Sequence, residues 1–394
     1  MNVYVRELSR ELGRMGVEVD IFTRSQNPSI PRVVALADSV RVVHLAAGPE
    51  TPLPRERVYA HLDEFVDGIE AWRLTRDVDY DLVHGHYWLS GVVGLTLRER
   101  WGIPMLQMFH TLGDLKNRVA RRATDLEPAV RLHEEARVIA SAERLVAASV
   151  AERAHLVRHL GAHPERIAVV PCGVDTELFA PGDPGEARRA LGLPDGPLVL
   201  YVGRLAPIKG LETLLDAIAL LGRRDRRVRL LIVGGEADEA RDGHEAGLHA
   251  RIAAHRIGDL VTFEGPQPQE SLRTHYAAAD VTVLPSHYES FGMVALEAMA
   301  CGSPVVASRV GGLTTTVRDG VTGFLVPEGD VGALADRLGT LLGDPDLRWR
   351  LGREGVRWAA QHRWPCVAEA ICREYALLES RARAHLAAGR CTEA

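Results

Sequence analysis

The sequence is poor in lysine, in paired cysteines and in long apolar runs. Of its 47 basic residues only Lys116 and Lys209 are lysine, and the rest are arginine. Its five cysteines are odd in number and form no C-x-x-C pair, which argues against structural zinc and favours a reducing cytoplasm. No apolar run reaches the roughly 18 residues that a membrane span needs. A net charge of −6 argues against a nucleic-acid partner.

What is present suits a two-domain α/β protein. The chain has 394 residues, 46% of them hydrophobic, and short β-rich runs alternate with helical stretches, as in doubly wound parallel sheets. Strands are predicted over residues 17–23, 40–46, 81–87, 104–110, 144–150, 166–171, 197–204, 228–235, 260–265, 281–286 and 304–310, and a long helix over 55–76. Ten of the 27 residues from Pro171 to Pro197 are Pro or Gly, which predicts the connection between domains.

Two cations follow the first strand of the second half. Arg204 ends that strand, and Lys209 stands where the next helix begins. Cations at the carboxyl end of a parallel strand, beside a helix N-terminus, can neutralise a diphosphate. Two ordinary surface cations are the alternative, but a lysine kept in an arginine-rich chain favours a function for Lys209.

The segment SHYESFGMVALEAMACGSPVV, residues 286–306, carries the strongest pattern. Glu289 follows a strand, and Phe291 and Gly292 open a helix whose free N–H groups suit an anionic or hydroxyl-rich ligand. Glu297 lies roughly 9 Å along that helix from Phe291. One carboxylate could meet a sugar while the other accepts hydrogen bonds from a ribose diol. A cap or salt bridge within a core helix is the alternative for Glu297.

Histidines mark two strands of the first half. His84 and His86 project to one face of a strand, and His110 with Thr111 ends the next. Three histidines could bind a metal, but a chain with 16 His forms such pairs easily by chance. We therefore infer no required metal or cofactor, with Mg²⁺ not indicated, a buried structural role for His84, and a functional role for His110 and Thr111.

Together, several segments resemble glycosyltransferase family 4, whose members have the GT-B fold of two Rossmann-like domains facing a cleft. The segments are MNVYVREL at the start, HGHYWLSG (84–91), FHTLGDLKN (109–117), PCGVD (171–175), VGRLAPIKG (202–210) and ESFGMVALEAMACG (289–302). Within the family, the sequence most resembles the members that glycosylate inositol phosphate and the sucrose-phosphate-synthase-like enzymes. The resemblance implies an acceptor-side domain over 1–175, a nucleotide-sugar domain over 176–364 and a C-terminal helix over 365–394 that packs back toward the first domain.

The resemblance also implies a retaining hexosyltransferase that moves glucose or N-acetylglucosamine from UDP to a hydroxyl of a phosphorylated polyol or sugar. His110 and Glu289 would be catalytic. Residues implied for donor binding are Asn2, Arg204, Lys209, Phe291, Gly292, Met293 and Glu297. Residues implied for acceptor binding are Arg55, Tyr87, Thr111 and Arg131, with Arg55 standing where the family has lysine. A GDP-mannose-dependent transferase, a nucleotide-sugar-binding protein without activity and a metal-dependent hydrolase are the alternatives, and a homodimer is left open.

The start of the sequence departs from the family pattern. A doubly wound domain opens with a buried strand and a glycine-rich turn, but Val3, Val5, Leu8 and Leu12 already have helical spacing. We expect that the family's first strand lies ahead of Met1, and a start codon placed too late is the simplest explanation. We expect restoration of about 20–30 upstream codons to raise stability and donor binding.

Overall fold

The computed structural model describes residues 1–120, 122–224, 226–235 and 243–392, with residues 243 and 383–392 described only as parts of their helices. The chain divides into two compact units, residues 1–171 with 364–394 and residues 172–363. Each unit is built on parallel strands that alternate with helices. The predicted α/β class with two Rossmann-like units is therefore confirmed.

The first unit has two sheets. Its strands are β1 Val19–Arg24, β2 Val33–Ala37, β3 Val40–Leu45, β4 Val83–His86, β5 Met105–Met108, β6 Arg144–Ala147 and β7 Ile167–Val169. One sheet has the order β1-β3-β2 and the other β4-β5-β6-β7, and all pairs are parallel except β2 with β3. The sequence did not predict β2, an edge strand whose exposed Val34 and Ala35 break the alternation between inside and outside.

In the first unit, one predicted helix is interrupted, and another has a different buried face from the one expected. Up to residue 171 they are α1 Asn2–Arg14, α2 Arg55–Val58, α3 Leu62–Arg76, α4 Trp88–Trp101, α5 Gly113–Val119, α6 Ala129–Ser141 and α7 Val150–Leu160. A 3-10 turn at Tyr59–His61 interrupts the helix predicted over 55–76. In α1 the buried face is Tyr4, Leu8 and Leu12, while Val3 and Val5 stay half exposed. The strand expected ahead of α1 stays a prediction.

The described residues of the second unit form one parallel sheet. Its strands are β8 Leu198–Val202, β9 Arg229–Val233, β10 Val261–Gly265, β11 Val281–Leu284, β12 Val305–Ser308 and β13 Gly323–Val326. Their order is β10-β9-β8-β11-β12-β13, so the direction of winding reverses between β8 and β11. That reversal opens a crevice beyond the carboxyl ends of β8 and β11, where doubly wound proteins bind ligands. The sequence analysis did not predict the four-residue β13.

Helices cover this sheet and complete its core. They are α8 Pro184–Ala190, α9 Leu211–Arg223, α10 Gly243–His255, α11 Leu272–Ala278, α12 Met293–Ala300, α13 Leu313–Thr316, α14 Val331–Gly343 and α15 Pro345–Ala359. In α9, Leu211, Leu214, Leu215 and Ile218 follow the helical period and are fully buried against β8 and β9 residues such as Val199.

The last helix, α16 Trp364–Thr392, belongs to the first unit and packs against α1. The ring of Trp364 meets the edge of Tyr4 at a centroid distance of 5.4 Å. Among the described residues, α16 included, we find no helix with the length and apolar character needed to cross a membrane.

Candidate functional site

A cavity of about 220 Å³ lies at the carboxyl ends of β8 and β11. Arg204, Lys209 and Glu289 line it, together with Tyr201 and Ser286. The structure thus brings together three of the residues that the sequence singles out, although 80 positions separate Lys209 from Glu289. The two cations stand where the strand order reverses, and this is where a phosphate-bearing ligand is expected in such a sheet.

Lys209 and Glu289 form an ion pair inside this cavity. The Lys209 Nζ donates to Glu289 Oε2 at 2.6 Å, and each side chain is about one-fifth exposed. An anionic ligand that binds Lys209 must therefore compete with the Glu289 carboxylate. Arg204 is exposed, and its own carbonyl accepts a hydrogen bond from the Tyr201 hydroxyl at 2.8 Å.

Two glycines that the sequence analysis missed hold the backbone of Glu289. The Gly312 N–H donates to the Glu289 carbonyl at 2.9 Å. A Cβ on Gly311 would lie 2.2 Å from that same carbonyl oxygen, so only glycine allows the approach. The Gly-Gly pair, which begins three residues after the end of strand β12, is the sequence signal that could have found them.

Glu297 of α12 lies deeper in the protein than Glu289. Glu297 is buried, its Oε2 accepts from the Tyr276 hydroxyl at 2.8 Å, and its Oε1 accepts from Gln269 Nε2 at 3.4 Å. Burial raises the pKa of the Glu297 carboxyl, although both hydrogen bonds oppose the shift. Among the described residues, the cavity lining includes Val294 of α12 but not Phe291, Gly292, Met293 or Glu297.

In the first unit, two strand ends carry strained backbone. Tyr87 follows β4 with φ +81° and His110 follows β5 with φ +61°, a region that non-glycine residues rarely adopt. Gln107 Nε2 donates to the Tyr87 carbonyl at 3.0 Å, and the Tyr87 N–H donates to the Met108 carbonyl at 2.9 Å. Strain of this kind collects at functional sites, so these strand ends are the candidate site of the first unit.

His110 belongs to a partly buried cluster of three histidines. His110 Nε2 lies 3.0 Å from His86 Nδ1, and His84 Nδ1 lies 2.8 Å from the Tyr375 hydroxyl. Burial lowers the pKa of all three imidazoles, that of His86 to about 3, so they are neutral at pH 7. His84 Nε2 is buried without a hydrogen-bond partner, so only one of the two ring nitrogens has the partner that a buried structural histidine is expected to have.

No group of three or more His, Cys, Asp or Glu within the described ranges has an arrangement that could hold a metal ion. The metal-dependent hydrolase considered as an alternative would have needed His84, His86 and His110 in such an arrangement.

The Arg131 guanidinium lies beside the same strand ends. This side chain of α6 is only 1% exposed, so it is not the surface charge that most arginines are. Its Nη1 donates to the Tyr87 hydroxyl at 3.1 Å, and its Nη2 donates to the Thr111 carbonyl at 2.7 Å and to Thr111 Oγ1 at 3.2 Å. Arg55 is exposed, and its guanidinium lies 5.9 Å from the Tyr87 ring centroid. The four predicted acceptor residues are therefore brought together.

Two buried carboxylates of the first unit, Glu135 and Glu152, were not predicted from the sequence. Glu135 Oε1 pairs with Arg131 Nε at 2.7 Å, and Glu135 Oε2 accepts from the Gly113 N–H at 2.8 Å. Glu152, at the start of α7, accepts from the Ala148 N–H at 2.8 Å. Burial, with a smaller contribution from the charge of Glu135, raises the pKa of Glu152 to about 7. Sequence spacing indicates local pairing for both residues, since Glu135 lies four positions after Arg131 and Glu152 three after the N-cap Ser149, but it does not indicate that they are buried.

Glu152→Gln should stabilise the protein at high pH only. Because the folded pKa of about 7 exceeds the ordinary 4.5, the folded chain keeps a proton that the unfolded chain releases. The Glu152 carboxyl therefore lowers the free energy of unfolding progressively from pH 4.5 to 7, and the loss levels off at about 3 kcal/mol above pH 7. In urea titrations the variant should match the parent near pH 4.5 and exceed it at pH 8. The exposed Glu165→Gln is the control, and a pH-independent difference for Glu152→Gln would contradict the assignment.

Comparisons of the sequence and of the structure with known proteins both find glycosyltransferases. The family model described as Glycosyl transferases group 1 matches residues 184–358, and that of Glycosyltransferase Family 4 matches residues 1–178. The D-inositol 3-phosphate glycosyltransferase of Acidothermus cellulolyticus is 44% identical over 98% of this chain and 87% of that protein. Sucrose-phosphate synthase from Thermosynechococcus elongatus superposes with a TM-score of 0.89 at 37% identity, over 96% and 94% of the two chains. Anabaena HepE in complex with UDP and glucose has a TM-score of 0.70 at 24% identity, over 86% of each chain.

Proposed function

This chain belongs to the group 1 and family 4 glycosyltransferases, and we propose that it moves a hexose from a nucleoside diphosphate to a phosphorylated polyol with retention of configuration. It is an enzyme with the GT-B fold. The observation that carries the proposal is the cavity beyond β8 and β11, in which Arg204, Lys209 and Glu289 converge. Two cations and one carboxylate match a ligand that has a diphosphate at one end and a neutral sugar at the other.

The donor that we propose is UDP-glucose or UDP-N-acetylglucosamine. Arg204 and Lys209 bind the diphosphate, Glu289 and the backbone of Phe291, Gly292 and Met293 bind the sugar, and Glu297 accepts hydrogen bonds from the ribose. Asn2 binds the donor phosphate, and His110 lies at the reaction centre. HepE, which shares only the fold, holds UDP and glucose. This supports a uridine nucleotide over the alternative donor GDP-mannose.

The acceptor that we propose is an inositol phosphate. The relative that is 44% identical carries the name D-inositol 3-phosphate glycosyltransferase. Tyr87, Thr111 and Arg131 supply hydroxyl and guanidinium donors within one cluster, and Arg55 adds a second cation over the Tyr87 ring. Such a cluster suits a phosphate monoester, because guanidinium groups bind phosphate oxygens in pairs.

The chemistry that we propose needs positioning and electrostatic stabilisation rather than an enzymic nucleophile. The bond between the anomeric carbon and the diphosphate oxygen breaks, the acceptor oxygen bonds to the same face of that carbon, and the acceptor proton leaves with the diphosphate. Arg204 and Lys209 stabilise the charge that develops on the departing diphosphate. The neutral His110 stays close to the transferred sugar without adding a competing positive charge.

A product screen tests the proposal. The purified chain is incubated with UDP-glucose, UDP-N-acetylglucosamine or GDP-mannose and with D-inositol 3-phosphate, inositol, glucose 6-phosphate or fructose 6-phosphate, and products are identified by mass. We expect one UDP-sugar with a phosphorylated polyol to give product. Transfer from GDP-mannose would correct the donor, donor binding without any product would support the inactive binding protein, and equal use of phosphorylated and unphosphorylated acceptors would contradict the acceptor assignment.

Alanine variants of Arg204 and Lys209 should bind UDP about 10- to 100-fold more weakly, because each loses a charge-assisted hydrogen bond to the diphosphate. Calorimetry with UDP and with uridine separates this effect from contacts to the nucleoside, since uridine lacks the diphosphate and should bind all forms alike. The exposed Arg224, which pairs with Asp336 in the same unit, provides the control variant Arg224→Ala. Unchanged UDP affinity in both site variants would refute the donor assignment.

A further inference from the structure

Both lysines of this chain pair with a glutamate at a proposed binding site. Lys209 pairs with Glu289 in the donor cavity, and Lys116 of α5 pairs with Glu127 in the first unit. The second pair extends further, because Glu127 Oε2 also lies 2.8 Å from Arg131 Nη1. The Glu127 carboxylate thus bridges Lys116 and Arg131, and Arg131 also contacts Tyr87 and Thr111, two of the residues proposed to bind the acceptor phosphate.

Each nitrogen of the Arg131 guanidinium already has a partner. Nε pairs with Glu135, Nη1 with Glu127 and the Tyr87 hydroxyl, and Nη2 with the carbonyl and hydroxyl oxygens of Thr111. An incoming phosphate must therefore replace one of these partners before it can bind the arginine. The identity of the partner that leaves decides which acceptors this site accepts.

Of the two carboxylates that pair with Arg131, Glu127 is the more exposed one and the one that lies outside a helix. Glu135 lies within α6, one turn from Arg131, and also accepts from the Gly113 N–H, while the Thr111 contact involves its backbone. Glu127 instead precedes α6, next to the exposed Leu126, and its backbone N–H donates to Asn117 Oδ1 at 2.7 Å. Its side chain is 13% exposed, against 3% for Glu135.

We propose that Glu127 stands in for the acceptor phosphate in the unliganded enzyme and that the phosphate displaces it, taking over its contacts with Lys116 and Arg131. This inference rests on the proposed function. A phosphate monoester carries about −1.5 to −2 charges at pH 7 and replaces the single charge of a carboxylate. A neutral polyol brings no charge with which to replace it. Glu127 therefore selects for phosphorylated acceptors, and Lys116 is a further residue that determines specificity.

Glu127→Gln tests the proposal by the sign of its effect. The amide keeps the volume of the side chain but competes less for the cations, so the KM for D-inositol 3-phosphate should fall about tenfold with kcat nearly unchanged. Inorganic phosphate should inhibit the variant competitively at a correspondingly lower concentration. Lys116→Ala, in which phosphate loses one cation, should raise that KM about tenfold and leave the KM for inositol unchanged.

Glu135→Gln is the matched control, since it makes the same change on another nitrogen of Arg131. Its KM should rise or stay level, because Glu135 positions the guanidinium. If Glu127→Gln also raises the KM or leaves it unchanged, Glu127 only positions Arg131 and the inference is overturned, even where the parent enzyme prefers phosphorylated acceptors. A parent enzyme without that preference would overturn the inference and the proposed acceptor together.

Discussion

Glu289→Gln should lower kcat about 100-fold or more while UDP binds as well as before or more tightly. The Glu289 carboxylate lines the proposed donor cavity, where we expect its negative charge to stabilise the positive charge that develops on the transferred sugar. It also pairs with Lys209 at 2.6 Å, and the amide releases that lysine for the diphosphate. Turnover with the UDP-sugar and calorimetry with UDP measure the two effects separately.

Glu297→Gln should weaken UDP binding, which Glu289→Gln leaves intact. Glu297 is buried and held by Tyr276 and Gln269, and we place it at the ribose, which bare UDP also carries. UDP affinity should therefore fall in Glu297→Gln and persist in Glu289→Gln. If the two variants lose UDP affinity equally, the two carboxylates do not have separate roles.

Arg131→Ala should lower the free energy of unfolding by about 3–5 kcal/mol, because it leaves the buried Glu135 carboxylate without its ion-pair partner. Arg357 of α15 is a suitable control. It pairs with Glu354 at 2.7 Å, and the two side chains are 62% and 43% exposed, so Arg357→Ala should change stability by less than about 1 kcal/mol. Urea unfolding of the two variants at pH 7 makes the comparison, and equal losses would contradict the structural role of Arg131.

The role of Arg131 in acceptor binding needs a variant that keeps its charge. Arg131→Lys retains one cation but loses the planar fork that binds two phosphate oxygens. We expect the KM for D-inositol 3-phosphate to rise about tenfold in this variant, with the KM for inositol unchanged. A variant that uses both acceptors as the parent does would remove Arg131 from the acceptor site.

The sequence by itself determined the α/β class and the positions of Arg204, Lys209 and Glu289 after strands. These signals are local: a buried parallel strand is a run of apolar residues, and the residues that follow it stand at the edge where ligands bind. The strand β2 escaped prediction because its pattern of exposure depends on its place at the edge of a sheet.

Only the tertiary structure decided which of these residues meet. Lys209 is 80 positions from Glu289, and His84 is 291 positions from Tyr375, distances at which spacing along the chain predicts no contact. In the bridge from Lys116 through Glu127 to Arg131, the pairing of Glu127 with Arg131 is local, since four positions separate them, whereas packing decides that Lys116 of α5 joins them. The raised pKa of Glu152 has the same origin, because burial is a property of the fold and the residue type alone leaves a carboxyl at its ordinary value.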